Sequence, residues 1–228
     1  VTQGFSRSYV EDVIKWHENA LAENATAVQS PFLRNHDQNR LAGPSEPGYP
    51  NIGDDLEGLK LAAEMLLSVP GSPFIYYGDE LGMTGAKAGA PPMWDATVRT
   101  PFLWDDARLT TWTFDDYGYV DTPNASTPSV EVQMSDPNSL YSTYKAMLHL
   151  RQAEPTLKYG DITAFEDNHP GLQGFYRTFE SDTLLVLHNV SEESQVVELD
   201  GSYEVIYGTL EDAVPARSTV ILRIDANE

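Results

Sequence analysis

Two short apolar runs, residues 28–33 and 74–77, flank a helical stretch, and this arrangement constrains the fold more than any other feature of the 228-residue chain. Between them, Leu56, Leu59, Leu61, Ala62, Ala63, Met65, Leu66 and Leu67 are apolar on more than one side of a helix. That pattern suits a helix packed between a sheet and another element. Asp54 is placed to cap it, with Glu57 three residues on, and Val69-Pro70-Gly71-Ser72-Pro73 stops it. Strand, helix, strand in that order predicts a βαβ unit and a parallel sheet. Each run leads into polar, acidic sequence: Asn35-His36-Asp37 after the first, Gly78-Asp79-Glu80 after the second. Parallel strands bring those ends to one side. Asp37 and the Asp79/Glu80 pair are therefore expected near one another, at the strand ends where barrel enzymes carry their chemistry.

The rest of the chain divides in two. A helix is expected over residues 9–24, where Val10, Val13, Ile14, His17 and Leu21 recur at three- and four-residue steps. Residues 40–53 are rich in Gly, Pro and Ser and read as a loop. Residues 81–137 are irregular and hold Trp94, Trp104, Trp112 and clustered aspartates, including Asp115 and Asp116. Irregular stretches of that length are commonly functional. Asp136-Pro137 then opens a helix with Pro at its first position, whose buried face is expected to be Leu140, Tyr144, Met147, Leu148 and the stem of Arg151. After Tyr159, six short β-branched or aromatic runs (161–165, 172–179, 183–189, 195–199, 203–207, 218–224) predict a small all-β module. The boundary is expected near residue 156, separating 1–156 from 157–228.

Composition narrows the partners. Fourteen Lys+Arg against 35 Asp+Glu give a net charge of −21, which disfavours nucleic acid and anionic membrane surfaces and suits a neutral ligand. No apolar run is long enough to span a bilayer. Without cysteine there is no thiol chemistry. No signal peptide is visible in Val1 to Arg7, and a start without Met leaves open that something upstream was removed. His17, His149, His169 and His188 are scattered, and no cluster has metal-ligand spacing. No cofactor is expected in this chain.

The segment Phe32-Leu33-Arg34-Asn35-His36-Asp37-Gln38-Asn39-Arg40, followed by Gly71 to Met83 with Tyr76-Tyr77-Gly78-Asp79-Glu80 inside it, resembles the α-amylase family of glycoside hydrolases. Val98-Arg99-Thr100-Pro101-Phe102-Leu103-Trp104-Asp105 and Asp136-Pro137-Asn138-Ser139-Leu140 extend the match, in family order. The resemblance implies the C-terminal part of a (β/α)8 TIM barrel, from about the sixth to the eighth helix, followed by a β-sandwich. It implies a portion of a retaining hydrolase of α-1,4-glucosidic bonds in starch-like glucans or malto-oligosaccharides. Asp37 then matches the family's third acid, which stabilises and distorts the sugar at the cleavage subsite. His36 matches the histidine that hydrogen-bonds that sugar, and Arg40 and Arg99 are expected to bind substrate. The family's nucleophile and general acid come from the fourth and fifth barrel strands, and no residue here matches them, so the chain alone is expected to be inactive. Calcium is expected, if anywhere, in upstream parts of the full-length parent.

Two unpaired barrel strands predict self-association or a missing N-terminal partner. A secreted or periplasmic setting is expected over a cytoplasmic one. Four other readings stand beside this one. Asp37 could pair catalytically with Glu80 or Asp79. The chain could be a non-catalytic relative or a carbohydrate-binding module using Tyr159, Phe175 and Tyr176. In the plainest reading, His36 and Asp37 only cap a loop, with Arg34 or Arg40 bridged to Asp37.

Overall fold

A computed structural model describes residues 8–45, 51–88, 94–106 and 124–225. Trp112, Asp115 and Asp116 lie outside the described residues. The elements are α1 (Ser8–Glu23), α2 (Leu56–Ser68), α3 (Val130–Met134), α4 (Leu140–Ala153), α5 (Pro155–Tyr159), and strands β1 (Asp161–Ala164), β2 (Leu172–Phe179), β3 (Asp182–Asn189), β4 (Tyr203–Tyr207) and β5 (Ser218–Ile224). Contacts group them into two compact units, residues 1–31, 61–73 and 147–228 in the first and 32–60 and 74–146 in the second. That grouping does not follow the residue-156 boundary expected from sequence texture.

The first unit is built on one antiparallel sheet of order β1-β2-β3-β5-β4. The run at 195–199, expected as a sixth strand, contributes one bridge, Gln195 to Val214. Residues 184–190 of β3 and its end are continuously buried, because both faces of the sheet are covered. On one face, Leu185 and Leu187 pack with Val220, Leu222, Leu172 and Phe165. The other face carries polar groups that need partners. Arg177 donates to the carbonyls of Ser68 (2.6 Å), Gly160 (2.7 Å) and Asp161 (3.2 Å). Arg151 on α4 donates to those of Leu67, Val69 and Gly71 at 2.6–3.0 Å. Most of these acceptors lie at the C-terminal end of α2, where unpaired carbonyls and the helix dipole favour a cation. Burial lowers Arg151 to about 10; burial and the adjacent Arg151 lower Arg177 to about 9. Phe175, proposed from sequence as a sugar contact, is fully buried on this face, while Tyr159 is exposed.

In the second unit the expected βαβ strands reduce to a single parallel bridge, Phe32 to Phe74. Both phenylalanines are exposed rather than buried, since parallel strands bury their side chains only when flanked on both edges and both faces. The order and direction of the pair are nevertheless as read. Two helix starts differ from expectation. Asp55, not Asp54, caps α2, its Oδ1 accepting the Gly58 amide at 3.2 Å. Ser139 caps α4, its Oγ accepting the Ser142 amide at 3.1 Å, while Asp136 closes a turn by accepting the Asn138 amide at 2.8 Å. In both cases the residue three before the donating amide takes the capping geometry, and Pro137 stays outside the helix. Leu148 points outward, unlike Leu140, Tyr144 and Met147, which are buried. Leu81, Met83 and Leu103 form the core here. Gln133 ties it together, donating to the carbonyls of Leu81 (2.9 Å) and Pro128 (3.1 Å) and accepting from the Tyr141 amide (3.1 Å).

His188 on β3 is fully buried, with Nδ1 2.7 Å from Thr219 Oγ1 and Nε2 3.2 Å from Ser68 Oγ. Burial depresses it from 6.5 to about 3. Between those values the unfolded chain binds the proton and the folded chain does not, so stability falls as pH drops through that window. Relative to the unsubstituted chain, His188→Gln is expected to lose less stability as pH falls from 7 to 4, read as urea midpoints; parallel profiles would contradict this.

Candidate active-site wall

The chain turns sharply after the Phe32 bridge. Asn35 Oδ1 accepts the Asp37 amide at 2.9 Å, a local side-chain turn that fixes the backbone and sets His36 and Asp37 outward. Both are well exposed, with side chains 63% and 61% accessible and His36 Nε2 3.3 Å from Asp37 Oδ2. Beyond them the chain dives inward: Asn39, Arg40 and Leu41 are buried.

Asp37 is bridged by neither Arg34 nor Arg40. Its partner is Arg99, whose Nη2 donates to Asp37 Oδ1 at 2.9 Å while Nε donates to the His36 carbonyl at 3.1 Å. The same Nη2 reaches Asp95 Oδ2 at 2.7 Å. Lys87 completes the group, with Nζ 3.0 Å from the Asp37 carbonyl and 3.2 Å from Asp95 Oδ1. Two cations, Arg99 and Lys87, and the Asp95 carboxylate thus surround the His36-Asp37 turn. Pairs this exposed contribute about 1 kcal/mol or less to stability, so the arrangement fixes direction more than it holds the fold. Lys87 and Asp95 were not singled out from sequence. The four-residue step from Asp95 to Arg99 is a signal that could have been used; Lys87 offers none, because its backbone is placed from afar by Asn39, which accepts the Lys87 amide at 2.7 Å.

Arg40 corrects the expectation of a substrate contact, because it is fully buried. Nη1 donates to the Tyr77 carbonyl at 2.6 Å, and the guanidinium lies 4.7 Å from the ring centroids of both Tyr76 and Tyr77. Nε and Nη2 make no hydrogen bond among the described residues. Gly78 lies against it at φ 89°, and a Cβ there would fall 2.5 Å from Met83 Sδ and 2.9 Å from Arg40 Nη1. Only glycine fits both the backbone and the space.

The two acids of the second motif also serve the scaffold. Glu80 accepts the Gly78 amide at 2.7 Å, and burial raises its pKa. Asp79 is buried, and among the described residues its Oδ1 makes no hydrogen bond. Burial pushes it up to about 7, against the pull of Arg40 and with a smaller upward push from Glu80. Among the described residues no hydrogen bond or ion pair joins either acid to Asp37, so the proposed catalytic pairing gains no support. Trp94 and Trp104 are exposed, and Trp104 stands at the end of an aromatic series, 4.7 Å from Phe102, which lies 6.4 Å from Tyr77. Among the described residues no group of three or more His, Asp or Glu is set to hold a metal.

These features coincide with a known family. The sequence model of the α-amylase catalytic domain matches residues 5–160. The match covers more than half of the chain, which therefore belongs to the α-amylase family of glycoside hydrolases. Alpha-amylase SusG of Bacteroides thetaiotaomicron is 28% identical over 205 residues, covering 87% of this chain and 28% of that protein. An oligo-1,6-glucosidase of Parageobacillus thermoglucosidasius is 27% identical over 217 residues, covering 80% of this chain and 37% of its own length. Among solved structures, an alpha-amylase from H. orenii superposes with a TM-score of 0.79 at 26% identity, over 98% of this chain and 46% of that one. The chain thus spans less than half the length of these relatives, which carry the TIM-barrel fold of the family.

The buried acid makes a pH prediction. The folded chain keeps the Asp79 proton up to about pH 7, whereas the unfolded chain releases it near 3.8. The native state binds the extra proton in between, so this group's contribution to stability falls as pH rises through that window. Relative to the unsubstituted chain, Asp79→Asn is expected to lose less stability as pH rises from 4 to 7; parallel profiles would show that Asp79 ionises normally.

Proposed function

We propose that this chain supplies one wall of the cleavage subsite of a retaining α-glucan hydrolase, acting on α-1,4-linked glucose polymers or malto-oligosaccharides. The observation that carries the reading is the exposed Asp37 carboxylate, aimed by Arg99 beside an exposed His36, in a chain of the α-amylase family. A carboxylate offers roughly four acceptor positions. Arg99 donates to Oδ1 and His36 Nε2 stands 3.3 Å from Oδ2, leaving acceptor capacity for sugar hydroxyls. An acceptor-only group suits a neutral polyol. Its charge, shared with Asp95 through one Arg99 nitrogen, is suited to favour positive charge developing at the sugar ring in an oxocarbenium-like transition state. His36 is placed to hydrogen-bond the same sugar, and exposed Trp104 offers an apolar face for a further sugar to stack on.

In this reading the nucleophile and general acid come from barrel strands of the parent protein, the five-stranded sheet belongs to its C-terminal β-sandwich domain, and the exposed Phe32 and Phe74 pack against the remainder of the barrel or a second copy of the chain. Calcium, where the parent binds it, sits outside this chain. A free-standing carbohydrate-binding module is less well supported, since Phe175 is buried in the core.

In the full-length parent, Asp37→Asn is expected to lower hydrolysis of a nitrophenyl α-glucoside or of starch by about 10³-fold, the scale on which lost transition-state electrostatics are felt, with KM little changed. The 228-residue chain alone is expected to show no hydrolysis. Near-normal turnover by the Asn variant, or turnover by the chain alone that Asp37→Asn abolishes, would overturn the proposal.

A further inference from the structure

We infer that Tyr76 and Tyr77 are positioning residues for Asp37, acting through Arg99; the inference rests on the reading of Asp37 as the cleavage-subsite carboxylate. Arg99 lies in a loop just after a short 3-10 turn (Ala96–Val98), and its side chain is 44% accessible. A long, half-exposed arginine has many rotamers, and an exposed ion pair does not select one of them unaided. The backbone beneath Arg99 is held from both sides. Tyr76 Oη donates to the Val98 carbonyl at 2.9 Å and Tyr77 Oη donates to the Thr100 carbonyl at 2.7 Å, so two adjacent tyrosines take the residues on either side of Arg99. The rings are themselves fixed: they meet edge to face at 4.9 Å and share the buried guanidinium of Arg40. The line of action runs from Arg40 to the paired rings, from their hydroxyls to the Arg99 backbone, and from the Arg99 head group to Asp37 Oδ1 and the His36 carbonyl. It assigns the Tyr76-Tyr77 pair to the backbone on either side of Arg99, since each phenol oxygen is spent on a carbonyl rather than on substrate.

The test uses the 228-residue chain and the ¹⁵N–¹H resonance of Arg99 Nε, identified by its loss in Arg99→Lys. In the unsubstituted 228-residue chain this hydrogen, bonded to the His36 carbonyl, is expected to exchange slowly with solvent. In Tyr76→Phe/Tyr77→Phe, which keeps both rings over Arg40, exchange is expected to rise at least tenfold while the melting temperature changes little, and each single variant is expected to fall between. Exchange at the parent rate in folded double variant would overturn the inference and leave the tyrosines a purely structural role. If the double variant does not fold, the two single variants decide the question on the same resonance. The readout involves no sugar, so it stands or falls separately from the loss of hydrolysis expected for Asp37→Asn.

Discussion

A guanidinium placed wholly out of water is the constraint on which the functional end of this chain depends. Burying a cation without compensation costs several kcal/mol, and Arg40 is fully buried with two of its nitrogens unpaired among the described residues. What compensates it is specific: the Tyr77 carbonyl and two aromatic faces at 4.7 Å. Cation–π contacts strengthen when desolvated, so the same burial that penalises the charge makes the tyrosine pair its natural seat. The requirement extends to Gly78, where any side chain would collide with Arg40 and Met83. The adjacent Tyr-Tyr-Gly residues thus have one physical explanation between them.

The unit that holds the sheet uses a related device. Arg151 and Arg177 are also buried, and both are answered by backbone carbonyls rather than by carboxylates. Carbonyls at a helix C-terminus lack intrahelical partners, so each cation meets acceptors that otherwise would be left unsatisfied. The acidic excess of the chain therefore does not neutralise these interior cations. Described acids such as Asp37, Glu192 and Glu204 are largely exposed, which fits a role in solubility.

How far the sequence could be read depended on the range of the interactions involved. The helices α1 and α2, the direction of the Phe32–Phe74 pairing and most strands were legible because periodicity and turn chemistry are local. So was the polar strand end at Asn35-His36-Asp37, which follows the Phe32 bridge in the structure. Arg40 was misread because two polar residues three apart in a turn look alike until the chain's inward course is known. The grip of Arg99 on Asp37 spans 62 positions, and that of Lys87 on the Asp37 carbonyl spans 50; neither leaves a pattern in the intervening sequence. The helix caps moved by small steps for the same reason that several Asp and Ser residues compete near each start.

Together these features describe a packed base beneath an exposed His-Asp turn, which under the proposed function faces a neutral, hydroxyl-rich ligand. Asp37 is the part of that surface with free acceptor capacity, and it belongs to a family whose members act on glycosidic bonds. Chemical-shift mapping of the ¹⁵N-labelled chain during titration with a malto-oligosaccharide tests this most directly. The account predicts perturbations centred on His36, Asp37, Arg99 and Trp104 that vanish in Asp37→Asn. Perturbations confined to the sheet, around Tyr159 and residues 161–225, would contradict it.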